Sequence, residues 1–204
     1  SAVTDEDQSI VVSLSGTDID GDNLTFSLDS DALSGSVSIN GTFATYAPNQ
    51  DFNGSDSFTF VVSDGELTDT ASVTLTITPI NDTPVLESIS DIIFDEDQTA
   101  NISLLGSDVD GDDLTFSISG GIEIEAILNN YTVLLVPPAN FNGSESFTAT
   151  VSDGELSDSQ SFTVTITAVN DSPVATADLS AVTDEDQSIV VSLSGTDIDG
   201  DNLT

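Results

Sequence analysis

The chain has 204 residues, 37 of them Asp or Glu and none Lys, Arg or His, so its formal charge is −37 at pH 7. That balance rules out side-chain salt bridges, repels nucleic-acid phosphate and anionic lipid, and makes cations the expected ligands. Lack of cysteine removes disulfides and thiol sites, while a 37% apolar content set in alternating runs excludes a disordered acidic tail.

From the N-terminus, an acidic stretch Asp5-Glu6-Asp7-Gln8 precedes Ile10, Val12 and Leu14, which alternate as a half-buried strand does. An acidic loop, Asp18-Ile19-Asp20-Gly21-Asp22, then enters a second alternating run at Leu24, Phe26 and Leu28. Asn40-Gly41 between Val37-Ser38-Ile39 and Phe43-Ala44-Thr45-Tyr46 predicts a type I′ hairpin, because both central residues of that turn need positive φ. Two more runs follow, Phe58, Phe60 and Val62, then Val73, Leu75 and Ile77. Helix caps and helical spacing are sparse. Seven or so strands in about 90 residues predict a β-sandwich, with Phe26, Phe43, Phe52, Phe58 and Phe60 as core fillers.

The same order restarts at Asp91. Asp95-Glu96-Asp97-Gln98, Asp108-Val109-Asp110-Gly111-Asp112 and Asn129-Asn130 take the earlier places, with Phe116, Phe141, Phe147 and Phe162 as core candidates. Ser1–Thr25 then returns unchanged as Ser180–Thr204. The chain is a tandem array, and a period of this size dictates fold and function together. Proline-bearing links at Pro79–Pro84 and Ala168–Pro173 divide it into repeat 1 at 1–83, repeat 2 at 84–172, and the first strands of a third, incomplete repeat at 173–204. That last piece is too short to fill a core alone. No apolar run approaches a membrane span and no signal peptide opens the sequence, as expected of an internal piece of a longer secreted chain.

Asp-x-Asp-Gly-Asp offers several carboxylates from one turn, which suits calcium with its six to eight oxygen ligands. An EF-hand would need glycine sixth, glutamate twelfth and flanking helices. Here glycine is fourth and a strand follows, so that reading fails. Magnesium keeps its waters and recruits fewer carboxylates. Scattered acids such as Asp29, Asp31 and Asp69 read as solvated surface.

Taken in order, the Glu6 stretch, the Asp18-x-Asp20 loop, Phe52-Asn53-Gly54-Ser55-Asp56, Val62-Ser63-Asp64-Gly65 and Ile80-Asn81-Asp82-Thr83-Pro84 resemble the cadherin repeat. The chain is more closely similar to the cadherin-like tandem repeats of large secreted bacterial adhesins. The resemblance implies an all-β array of immunoglobulin-like, cadherin-like sandwiches with calcium at each link. Matched residue by residue, it implies Glu6, Asp56, Asn81, Asp82, Asp108, Asp110 and Asp153 at the first link. At the second it implies Glu96, Glu145, Asn170, Asp171, Asp197 and Asp199, with Asp18, Asp20 and Asp64 as the equivalent positions at the start of repeat 1. Pro79 and Ala168 stand where the animal pattern has the link's first aspartate, and Phe52–Asp56 replaces its acidic stretch. Which of Asp5, Glu6 and Asp7 ligates stays open, since neighbours in a strand point opposite ways.

The expected function is a calcium-stiffened extender of a secreted or surface-attached bacterial protein, an adhesin stalk, since repeats that differ mostly in loops point to length rather than a unique pocket. The alternative is calcium-dependent homotypic adhesion or a surface filament, with identical chains as partners. An enzyme is not expected: no histidine, cysteine or lysine is present to act as base or nucleophile, and the acids recur in every unit.

Overall fold

The computed structural model of the protein describes residues 1–176 and 179–204. Its contacts divide the chain into two units, Ser1–Asp82 and Thr83–Thr204. The first holds β1 (Ala2–Asp5), β2 (Ile10–Ser13), β3 (Thr25–Ser30), β4 (Gly35–Asn40), β5 (Phe43–Pro48), β6 (Gly54–Ser63) and β7 (Thr68–Thr78). They form a four-stranded sheet, β1-β7-β6-β3, and a three-stranded sheet, β2-β5-β4. All pairings are antiparallel except β1 with β7, which runs parallel with Ala2 opposite Leu75. The core between the sheets is built on Tyr46, Phe58, Leu75 and Ile77, each 2% exposed or less.

Phe58 and Phe60 are buried as expected, and Phe26 and Phe52 pack against the core's margin. Phe43 is a correction. In β5 the inward positions are Ala44 and Tyr46, both fully buried, so strand alternation turns Phe43 outward, where it is 53% exposed. The hairpin also differs from expectation. Asn40 pairs with Phe43 as the last ladder pair, so the turn residues are Gly41 and Thr42, with positive φ at Gly41. In the second unit the turn is likewise Asn130-Tyr131, one residue later than expected, with Asn130 at φ 56°.

The second unit contains β8 (Val85–Leu86), β9 (Ile92–Asp95), β10 (Ala100–Ser103), β11 (Gly106–Ser107), β12 (Thr115–Gly120), β13 (Glu125–Asn129), β14 (Thr132–Val136), β15 (Gly143–Ser152) and β16 (Ser157–Thr167). Sheets β9-β16-β15-β12 and β10-β14-β13 repeat the first sandwich, and β8 pairs with β11. Phe147 and Phe162 stack in the core with ring centroids 5.8 Å apart, while Phe116 and Phe141 lie at its margin.

Beyond Thr167 only two short strands occur among the described residues, β17 (Val174–Ala175) and β18 (Gly195–Thr196), paired with each other. Residues 181–192 have the sequence of 2–13, yet they form no strand, and Val182 and Val190 are more than 90% exposed. The difference is tertiary. In the first unit β1 is held by β7 and β2 by β5, and 180–204 contains no counterpart of either partner. Four-residue strands do not persist without a ladder and a core.

Candidate metal centre

Each sandwich ends its first strand on an acid-bearing turn. The amide of Glu6 donates to Thr78 O at 3.0 Å, one step beyond the β1–β7 register, and Asp7 then turns the chain at φ 58°. Strand alternation therefore stops at Asp5, and Glu6 and Asp7 both serve the link end. Asp5 instead accepts from the Thr78 hydroxyl. Glu6 is 4% exposed; its Oε1 accepts the Ile80 amide of the link, while Oε2 is buried with no hydrogen-bond partner. Asp7 Oδ1 accepts the amide of Asp51, and carboxylate oxygens of Asp7, Asp51 and Asp82 lie within 4.8 Å of one another. Asp51 is not among the acids that the sequence singles out, and Asp7 is one of the trio left open there; the polar, non-alternating run after Asp5 is the available signal.

The second unit repeats the arrangement. The Glu96 amide donates to Thr167 O at 3.0 Å, and its Oε1 accepts the Val169 amide at 2.6 Å. Glu96 is 3% exposed, and Asp97 Oδ1 accepts the Asn140 amide. Asn170 bends back through Nδ2 to Asp171 O, and the Asp171 amide donates to Asp199 at 2.6 Å. Asp171 Oδ2 is buried with no partner. Burial, and then the negative charges of Asp199, Asp97, Glu96 and Asp197, push its carboxyl above the usual aspartate range. Four further carboxylates thus act on one that no cationic side chain of the chain can neutralise.

The Asp-x-Asp-Gly-Asp loops are organised by their first residue. Asp108 Oδ1 accepts the amides of Asp110, Gly111 and Asp112, leaving Oδ2 buried without a partner. Carboxylate oxygens of Asp108, Asp110 and Asp112 lie within 4.8 Å of one another. Asp18 takes the amides of Asp20, Gly21 and Asp22 in the same way, and Asp197 those of Asp199 and Asp201. Asp64 and Asp153 each cap a hairpin turn through Oδ1, accepting two amides apiece, and those of Leu67 and Glu66 hold the Asp64 carboxyl below its ordinary range.

Asp56 and Glu145, expected as ligands, accept hydrogen bonds within their own sandwiches. Asp56, 7% exposed, accepts the amides of Leu33, Ser34 and Ser57 and the hydroxyl of fully buried Tyr46. Burial alone would raise its carboxyl, but these four donors outweigh burial and hold it below the usual range. Burial and the neighbouring Asp56 carboxylate push the Tyr46 hydroxyl up in turn. Glu145 accepts the amides of Ile122, Glu123 and Ile124. Its extra methylene matches the exchange of Tyr46 for Leu135, which carries no hydroxyl. Both carboxylates fasten the segment before β4 or β13 to the second-last strand, so their oxygens are occupied within the fold.

Buried carboxylate oxygens without donors are costly, and a bound ion is one of the few ways to satisfy them. Glu6, Asp108 and Asp171 present such atoms among further oxygens at a link end or an acidic loop, the donor chemistry a hard cation takes. The residues present therefore fit calcium.

The family profile described as the bacterial Ig domain matches residues 1–76 and 81–167. Among curated proteins, chitinase A of Pseudoalteromonas piscicida is 28% identical over 162 residues, covering 78% of this chain and 20% of that protein. The chain thus spans about a fifth of the length of the curated relative it matches. Among solved structures, human protocadherin-24 EC1-2 aligns at a TM-score of 0.55 and 16% identity, over 82% of this chain and 95% of that one. The endo-fucoidan hydrolase MfFcnA4 from glycoside hydrolase family 107 aligns at a TM-score of 0.36 and 24% identity, over 82% of this chain and 28% of that one. The first of these structures is a likeness of fold. With the profile covering both sandwiches, the chain belongs to the bacterial Ig domain family, as tandem all-β repeats of cadherin-like fold.

Proposed function

We propose that this chain is a structural, calcium-binding repeat segment of a long extracellular bacterial protein, serving to extend whatever that protein displays. The observation that supports the reading is the set of buried carboxylate oxygens without donors, Glu6 Oε2, Asp108 Oδ2 and Asp171 Oδ2, in a chain with no cationic side chain. The proposed ligands are Glu6, Asp7, Asp51, Asn81 and Asp82 at the end of the first unit, with Asp108 and Asp110 in the second. At the next link they are Glu96, Asp97, Asn170, Asp171, Asp197 and Asp199. Asp18 and Asp20 have the sequence of Asp197 and Asp199 and take the same role. When bound, calcium supplies charge neutralisation; the protein supplies oxygens already tethered by backbone amides, so little ordering remains to be done. The segment is read as non-catalytic, and its likeness to a fifth of a chitinase fits an accessory repeat joined to other domains.

Solution scattering tests the extender role. In calcium the 204-residue chain should show a maximum dimension that is longer and more sharply defined than in chelator, with both sandwiches folded in each. Like charges at the links should broaden the distribution once the ion is removed. Identical profiles in the two conditions would overturn the stiffening.

A further inference from the structure

The two sandwiches build the same turn beside their link-end acids, and one residue in it differs. Phe52-Asn53-Gly54-Ser55 recurs as Phe141-Asn142-Gly143-Ser144, but the residue before it is Asp51 in the first unit and Asn140 in the second. The backbone at the two positions is alike. Both stand at φ 56°, in the left-handed region that Asp and Asn enter more readily than other side chains. The Asp51 amide donates to Asp7 Oδ1 at 3.1 Å and the Asn140 amide to Asp97 Oδ1 at 3.0 Å. One residue on, the Phe52 amide donates to Asn49 O and the Phe141 amide to Pro138 O, each at 3.2 Å. The chain itself therefore exchanges a carboxylate for a carboxamide while the shape of the turn is held.

Both side chains stand among the acids of their own unit. In the first, carboxylate oxygens of Asp7, Asp51 and Asp82 lie within 4.8 Å of one another, and Asp82 is also within 4.8 Å of the Glu6 carboxylate. Glu6 is 4% exposed, and its Oε2 is buried with no hydrogen-bond partner. In the second unit Asn140 lines an open cavity with Asp171, and Asp171 feels the charges of Asp97 and Glu96. Here Glu96 Oε2 has a donor, Asn142 Nδ2 at 3.5 Å, whereas the matching Asn53 gives none to Glu6 Oε2. Asp7 corresponds to Asp97, Asp82 to Asp171 and Glu6 to Glu96, so of these four places only that of Asp51 changes charge.

We propose that Asp51 makes the calcium site at the first link tighter than the one at the second, so that rising calcium fills the first link before the second. The inference rests on the reading of the links as calcium sites and adds which residue grades them. Calcium affinity is set largely by how many charged ligands a site offers. An amide oxygen still ligates, so Asn140 weakens its site without abolishing it. Asp51 is in this sense the residue that sets the order of filling.

A calcium titration of the full chain, buffered by a chelator and followed by NMR at the backbone amides of residues 51–54 and 140–143, reads the two links separately. In the wild type the first set should reach its midpoint at about tenfold lower free calcium than the second. Asp51→Asn should raise the first midpoint about tenfold and leave the second in place, and Asn140→Asp should lower the second by a similar factor. Neither exchange should unfold a sandwich, since each gives one turn the side chain that the other already holds. Because each variant is compared with the wild type at the same link, any other difference between the links cancels. Calcium-dependent shifts whose midpoints coincide in the wild type, or which either variant leaves unmoved, would overturn this grading while the calcium reading stands. No shift at either set in calcium would overturn both.

Discussion

Saturating calcium should raise the midpoint of thermal unfolding by about 10–20 °C over the same chain in chelator. A ligand at a hundred times its dissociation constant stabilises the form that binds it by about 2.7 kcal/mol, and each kcal/mol moves the midpoint of a sandwich this size by about 4–8 °C. The effect originates in repulsion that the fold otherwise bears. Two carboxylates whose oxygens lie within 4.8 Å of each other, as in the Asp7, Asp51 and Asp82 group, repel by about 1 kcal/mol under water-like screening and by about 3 kcal/mol at an effective dielectric of 20. Magnesium should reproduce little of the shift, because it gives up its waters reluctantly. Acid should act in the opposite sense in the two conditions. The raised Asp171 carboxyl means that its ionised form is disfavoured in the fold, a penalty present at neutral pH and relieved as pH falls through that raised value. In chelator, lowering the pH from neutral into the range just above the usual aspartate value should therefore help the link region, whereas in calcium the same change should weaken it by protonating ligands. A scan on each side of that range checks both signs.

Asp56→Ala should destabilise repeat 1 by about 3 kcal/mol or more, equally in calcium and in chelator. The substitution leaves the buried Tyr46 hydroxyl and the Leu33, Ser34 and Ser57 amides without their acceptor, and each such loss costs about 1–3 kcal/mol before relaxation. Asp56→Asn keeps an acceptor and should recover part of the loss. Because the Asp56 carboxyl is lowered in the fold, its contribution is complete above the unfolded value near pH 4 and is lost as pH falls through the lower folded value. Differential scanning calorimetry of the variant gives both the shift and its indifference to calcium. A destabilisation that calcium reversed would return Asp56 to the ligand set.

The sandwich was legible because it rests on alternation, which the chain writes plainly at Phe58 and Phe60 and at Val73, Leu75 and Ile77. What alternation does not give is the phase of a strand. Phe43 was misplaced because bulk suggested core, whereas Ala44 and Tyr46 occupy the inward positions. The hairpin slipped by one residue for a related reason. Asn40-Gly41 fits a two-residue turn by composition, but the register set by Val37 opposite Tyr46 makes Asn40 the last strand residue. Among the acids, grouping identified the links but not the division of labour. Asp56 and Asp7 are equally acidic in sequence, yet one faces a row of amides at the end of its own sheet and the other lies on a turn beside Asp51 and Asp82. That distinction depends on which backbone amides lack partners, a property of the folded chain. The unstranded tail at 181–192 shows the same limit, since its sequence forms β1 and β2 only where β7 and β5 are available to pair with it.

The central claim is that link carboxylates hold calcium while Asp56 and Glu145 hold the fold. Equilibrium dialysis against calcium measures this directly on the 204-residue chain, the Glu6→Gln and Glu96→Gln double variant, and the Asp56→Asn and Glu145→Gln double variant. These exchanges remove charge with little change of shape. The wild type should bind calcium at more than one site, the Glu6 and Glu96 variant should lose most of that binding while both sandwiches stay folded, and the Asp56 and Glu145 variant should keep it. Retention of all sites in the Glu6 and Glu96 variant, or no calcium bound by the wild type, would contradict the account.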